Sequence, residues 1–203
     1  MILSKLFPTP VAAFKLNHLN TEQKLFLLNT EVGDNSNPYL GNVASNNNYI
    51  LNQPELRLLK KNIQACINKY KEEVMSCDQE LYVTNSWVNF LQPGTKHSMH
   101  YHSNSILSGV YYIKTDDKTP NLRLEHPNTY LWPLSWTRKK FNHENSLGEV
   151  IVIEDNMLIL FPSSIWHSVD TNCSSETRVS LSFNTFLKGD INGNNYLADL
   201  KLS

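Results

Sequence analysis

The stretch LYVTNSWVNFLQPGTKHSMHYHSNSILSGVYYIK, residues 81–114, decides the fold class. It opens and closes on short runs rich in β-branched and aromatic residues, LYVTNSWVNFL and SGVYYIK. A turn signal, Pro93-Gly94, breaks it, and a histidine cluster follows. Such runs read as strands. The pattern continues downstream in NLRLEH (121–126), EVIVIED (149–155), MLILFP (157–162) and RVSLSFNTF (178–186), with Gly, Pro, Asn and Asp between them. Many short strands with close turn signals predict a sandwich or closed barrel.

Upstream of residue 81 the hydrophobic period is helical. Thr21–Val32 begins with a Thr as cap and with acidic and amide residues in its first turn. In Asn52–Met75, Asn52 and Glu55 have capping-box spacing and Pro54 suits a first turn. Leu59, Ile63, Cys66, Ile67, Tyr70 and Val74 recur on one face. The expected architecture is therefore α+β and mainly β, with N-terminal helices packed on the outside of one sheet. One domain is expected over 1–203: a helical flank at 1–80, a β core at 81–188 and a tail at 189–203.

Composition narrows the function classes. Lys and Arg total 18 against 19 Asp and Glu, a net charge of −1, which argues against nucleic acid as a partner. No apolar run reaches the roughly 18 residues of a membrane span, and the first residues lack the long apolar segment of a secretory signal. Three widely spaced cysteines fit reduced thiols, so a cytoplasmic location is expected.

Chemistry concentrates in the histidines. His100 and His102 are two apart, so on a strand both leave the same face, an arrangement suited to a transition metal. His97 is out of phase with them. MLILFPSSIWHSVDTN (157–172) reads as strand, Pro turn and new strand, and delivers His167 to the same region. Farther on, Arg178 and Ser180 share one face of a strand, among the apolar neighbours Val179, Leu181 and Phe183. A guanidinium in so apolar a setting needs a partner, either an internal carboxylate or the carboxylate of a ligand.

A short His-x-acid motif, a distal His and an Arg-x-Ser about ten residues later is the pattern of the iron(II)- and 2-oxoglutarate-dependent oxygenases, which this chain resembles. More narrowly it resembles 2-oxoglutarate/iron oxygenases of marine bacteria and phages. LFPTPV, SWVNF, HYHSNSILSGVYYI, LILFPSSIWHSV and RVSLSFN carry the likeness, in order, across most of the chain. The resemblance implies a double-stranded β-helix, or jelly roll, and a host-cytoplasm location if the chain is phage-encoded. It implies a dioxygenase with Fe(II), 2-oxoglutarate and O2, which hydroxylates its substrate as 2-oxoglutarate becomes succinate and CO2. His100 and His167 match the family's histidine ligands, Arg178 and Ser180 the pair that holds the distal carboxylate. Tyr112 matches a tyrosine that assists the arginine, so that Tyr111 faces the other way; Asn89 is expected to point into the same cavity.

The chain departs from the family pattern at His102, where the acid would stand. Either His100, His102 and His167 form a three-histidine centre, or a carboxylate such as Asp116 or Asp170 completes it. The irregular segment 115–147 is a candidate substrate loop, with Trp132, Trp136 and Arg138 as contacts to an unidentified small molecule or macromolecular residue. An exposed sheet edge would support a homodimer. Two rival readings stay open. A cupin-type dioxygenase or isomerase would use the same histidines without 2-oxoglutarate. A jelly-roll binding or structural module would use none of them.

Overall fold

The computed structural model describes residues 1, 7–33, 42–127, 137–191, 197 and 199–202. Among these, strands fall into a seven-stranded and a four-stranded antiparallel sheet. The larger contains β1 (Ala12–Lys15), β2 (Val43–Ala44), β3 (Glu80–Leu91), β5 (Leu107–Lys114), β8 (Met157–Pro162) and β10 (Arg178–Ile191), in the order β1-β8-β5-β10-β3-β2. β11 (Leu200–Leu202) pairs with the far end of β10. The smaller sheet runs β4 (His97–His100), β9 (His167–Val169), β6 (Leu122–Glu125), β7 (Gly148–Ile151).

The pairings are nested. β6 pairs with β7, β5 with β8, β4 with β9 and β3 with β10. The chain is thus one long hairpin folded across two sheets, which is the double-stranded β-helix expected from the sequence. Cross-pairs β5–β10 and β6–β9 close the coil.

Period-two alternation separates two cores. Residues Tyr111, Leu158, Leu160, Leu181 and Phe183 face the helices. Their neighbours Tyr112, Ile159 and Phe161 face the smaller sheet with Leu122 and Leu124. Each such side chain contributes about 1.5–3 kcal/mol on burial. Gly109 is required in β5 because a Cβ there would overlap the ring of Phe183, its partner on β10.

The helical flank differs from the sequence reading in several ways. Helix α1 (Thr21–Leu28) is capped by Asn20 rather than Thr21: the Asn20 side chain accepts from the Gln23 N–H at 2.8 Å, and Gln23 reaches back to the Asn20 N–H. Helix α2 starts later than expected, at Arg57, and ends at Tyr70. The 3-10 turns Ile50–Asn52 and Pro54–Leu56 precede it. There is no capping box, because Asn52 Oδ1 accepts instead from Lys60 Nζ at 2.7 Å. A π-turn, Lys71–Met75, follows and rotates Val74 out of the stripe to an exposed position. Leu59, Ile63, Ile67 and Tyr70 lie on the buried face as expected. The flank and tail are not purely helical or irregular either, since β1, β2 and β11 all join the larger sheet or its edge. Among the described residues, no helix is long and apolar enough to cross a membrane.

Candidate metal centre

The β4–β9 ladder places His100 directly opposite His167. His102 lies just beyond β4, where its N–H donates to the Ser163 carbonyl at 3.0 Å. Ser163 is the hub that holds this loop against the turn leading to His167. Its N–H donates to the Ile106 carbonyl, and its hydroxyl meets those of Ser105 at 2.7 Å and Ser108 at 2.8 Å. The result is three imidazoles whose ligand nitrogens all lie within 4.8 Å of one another.

The donor set fits a divalent metal. His102 Nε2 and His167 Nε2 are 3.2 Å apart. Two nitrogens each about 2.1 Å from one ion, at right angles, would stand ~3.0 Å apart. His100 Nδ1 is 2.8 Å from the Ser98 carbonyl and His167 Nδ1 is 3.0 Å from the Ile165 carbonyl. Donation from Nδ1 leaves the Nε2 lone pairs of both rings for an ion, the usual outer support of a metal-bound histidine. Burial, then the neighbouring His100, holds His102 down to about 4. The same two causes lead at His167, held at about 3, and burial lowers His100 against the pull of the Ser98 carbonyl. The rings are therefore neutral, the form a metal binds.

The opposite wall comes from β10. Arg178, Ser180 and Ser182 point into the same pocket. Arg178 is 4 % exposed and Tyr112 is fully buried, with the guanidinium carbon 5.0 Å from the Tyr112 ring centre. Among the described residues, neither Arg178 Nε nor the Tyr112 hydroxyl makes a well-aligned hydrogen bond. Burial holds the Arg178 guanidinium below its ordinary value and the Tyr112 phenol above its own, and the attraction between the two groups offsets part of each shift. Among the described residues no Asp or Glu lines the pocket. Asp116 is occupied elsewhere, accepting from the backbone N–H groups of Lys118 and Thr119 and from the Ser174 hydroxyl. Asp170 is exposed outside that wall. An arginine this buried, with no acid beside it among the described residues, has the chemistry to seat an external carboxylate.

Asn89 also lines the pocket, with its amide committed to the wall: Oδ1 accepts from Asn42 Nδ2 at 2.7 Å and Trp87 Nε1 at 3.1 Å, and Nδ2 donates to Ser182 Oγ at 2.8 Å. Tyr111 faces away and donates to Asn156 Oδ1 at 2.9 Å. Arg138 is outside the pocket wall; its Nε donates to the Asn145 carbonyl and its guanidinium lies 5.6 Å from the Phe141 ring centre. Trp132 and Trp136 lie outside the described residues.

The sequence reading missed several wall residues. Ser182 was available from the parity that picked Arg178 and Ser180, and Trp87 from its parity with Asn89. Asn42 carries no sequence signal. By strand parity His97 is out of phase with His100, yet it lines the pocket and stacks on His100 with ring centres 4.3 Å apart. A β-bulge between His97 and His100 is the reason: one extra residue shifts the pleat and turns a spacing of three to the same face. Burial, then the charges of His100, Arg178 and His102, hold His97 at about 3. A wider open depression, about 860 Å³, lies between α1 and residues 46–55, but among the described residues its wall holds no histidine or cysteine.

Residues 85–184 match the family model described as "Putative 2OG-Fe(II) oxygenase". No curated protein matches the sequence. Among solved structures the chain is similar to a Pseudomonas putida prolyl-4-hydroxylase, at 10% identity and TM-score 0.61, covering 89% of this chain and 94% of that one. It is similar to HygX of Streptomyces hygroscopicus, solved with nickel, 2-oxoglutarate and hygromycin B, at 8% identity and TM-score 0.57 over 87% and 82%. A Trichoplax adhaerens prolyl hydroxylase, in complex with a hypoxia inducible factor peptide, gives 14% identity and TM-score 0.55 over 87% and 83%. At these identities the likeness is one of fold.

Proposed function

From the match of residues 85–184 to the 2OG-Fe(II) oxygenases we infer that the protein is an iron(II)- and 2-oxoglutarate-dependent oxygenase, an oxidoreductase that hydroxylates its substrate. One observation carries this reading. Three convergent imidazoles and a buried guanidinium without a carboxylate partner face each other across one pocket whose described wall has no acid.

His100, His102 and His167 would hold the iron, and Arg178, with Ser180 and Tyr112, the far carboxylate of 2-oxoglutarate. Bound iron and 2-oxoglutarate supply the oxidising chemistry with O2, in which 2-oxoglutarate is converted to succinate and CO2. The protein contributes placement and charge. Neutral histidines leave the two positive charges of the ion uncompensated, and Arg178 adds a third, so the pocket selects a dianion. A dicarboxylate gives Arg178 Nε and the Tyr112 hydroxyl the acceptors they lack. Val110, Leu122 and Val169 supply apolar wall that limits water.

Anaerobic addition of 2-oxoglutarate to the Fe(II)-loaded protein should produce a visible charge-transfer band. Arg178→Ala should remove the band at concentrations that saturate the parent while still binding metal; His167→Ala should lose the metal itself. Absence of the band and of O2-dependent succinate release would remove the oxygenase reading. Iron-dependent oxidation without succinate would favour the cupin-type alternative, which uses the same ligands and has no use for Arg178.

A further inference from the structure

We propose that His97 is a further binding residue for the dicarboxylate, donating a ring N–H into the space between the histidine centre and Arg178. The inference rests on the oxygenase reading and deepens it. Three observations support it. The bulge in β4 spends a residue to turn His97 inward, and the ladder resumes at His100, so the distortion is local to this side chain. The ring lies at an interplanar angle of 28° on His100, which fixes its plane against the metal end of the pocket. It lines the same wall as Arg178, Tyr112 and Ser180, and among the described residues its ring nitrogens make no hydrogen bond.

The half-buried His97 imidazole shares the pocket wall with two orphaned groups, Arg178 Nε and the Tyr112 hydroxyl. Two buried donors without acceptors and one partly exposed ring thus meet in one cavity among the described residues. A single bound dianion, rich in acceptor oxygens, satisfies all three. Stacking alone would be served as well by an apolar ring. The particular contribution of histidine is its N–H.

The test separates the two roles with the metal-loaded whole protein. His97→Phe keeps a ring over His100 and removes the donor. His97→Asn and His97→Gln remove the ring and place an amide N–H near the Nδ1 and Nε2 positions. Metal affinity, thermal midpoint and the anaerobic 2-oxoglutarate titration are read for each. The expected result for His97→Phe is metal affinity within about twofold of the parent and 2-oxoglutarate affinity down roughly tenfold, the scale of one hydrogen bond to a charged group. At least one amide variant recovers most of that loss. If His97→Phe binds 2-oxoglutarate like the parent, or loses metal and 2-oxoglutarate affinity in equal measure, His97 only supports His100 and the proposal is overturned. If His97→Phe does not fold, failure of both amide variants to bind 2-oxoglutarate better than His97→Ala overturns it. If the parent itself binds metal but no 2-oxoglutarate, the oxygenase reading falls first and the proposal with it.

Discussion

Tyr112 and Arg178 show what burying a polar atom without a partner costs. A buried hydroxyl without a partner costs about 1–3 kcal/mol. Tyr112→Phe removes that penalty, so the metal-free, ligand-free variant should melt higher than the parent, by about 1 kcal/mol of stability. It should also bind 2-oxoglutarate more weakly. A melting point below the parent's would mean that the hydroxyl has an internal partner after all. The histidines give a pH prediction whose sign is fixed. His97, His102 and His167 sit at about 3, 4 and 3 in the folded protein, against about 6.5 in an unfolded chain. Below about pH 6.5 the unfolded chain takes up protons that the folded one refuses. Stability supplied above that value is therefore lost as pH falls toward 4 and 3. The melting temperature of the metal-free protein should fall steadily from pH 7 to 4.5, above the range where most carboxylates titrate; a flat profile would contradict the buried neutral rings. At this scale much was legible in the sequence. Parity put Arg178 and Ser180 together, while the family resemblance picked out Tyr112 and parity then turned Tyr111 the other way. It failed at His97, because a bulge changes the pleat without changing the spacing of residues, and at Asn42, which reaches the wall through tertiary placement.

Strand β10 carries two messages in one run. Val179, Leu181 and Phe183 fasten it to the helix-side core, while Arg178, Ser180, Ser182 and Asn184, all buried, face the smaller sheet. A buried polar row is poor for stability and marks the strand as part of a site. The strands were readable because β-branched and aromatic runs alternate cleanly; helix starts were less so, since capping patterns recur by chance. Asn20→Ala should cost about 1 kcal/mol, the usual value of a lost cap. Asn52→Ala should change stability by less than about 0.5 kcal/mol, as only an exposed contact with Lys60 is lost. Equal effects, measured by chemical denaturation, would contradict the assigned helix starts. In β5, Gly109→Ala should destabilise by about 1–3 kcal/mol through overpacking against Phe183. Gly109→Ala with Phe183→Leu should recover part of the loss.

For the molecule as a whole, an ion held by histidines from both arms of the hairpin would act as a clasp between them. Saturating divalent metal should raise the melting temperature, with about 2.7 kcal/mol of added stability at a hundredfold excess over Kd. A chelator should reverse the gain, and His102→Ala should reduce it; a melting point indifferent to metal would argue that the three rings never share an ion. The nested order of the strands was not legible in the sequence, because each strand is compatible with several partners and only the coil of the closed sheets selects among them. That order also has a temporal side. His100 and His167 are neighbours across a ladder, yet the whole inner hairpin, residues 101–166, lies between them along the chain. Pairings so distant in sequence form slowly. During synthesis the first two imidazoles emerge well before the third, and the guanidinium later still. The nascent chain therefore passes through a stage in which an ion would meet only two of the three imidazoles, and on the proposed function iron would be loaded after β10 has paired with β3.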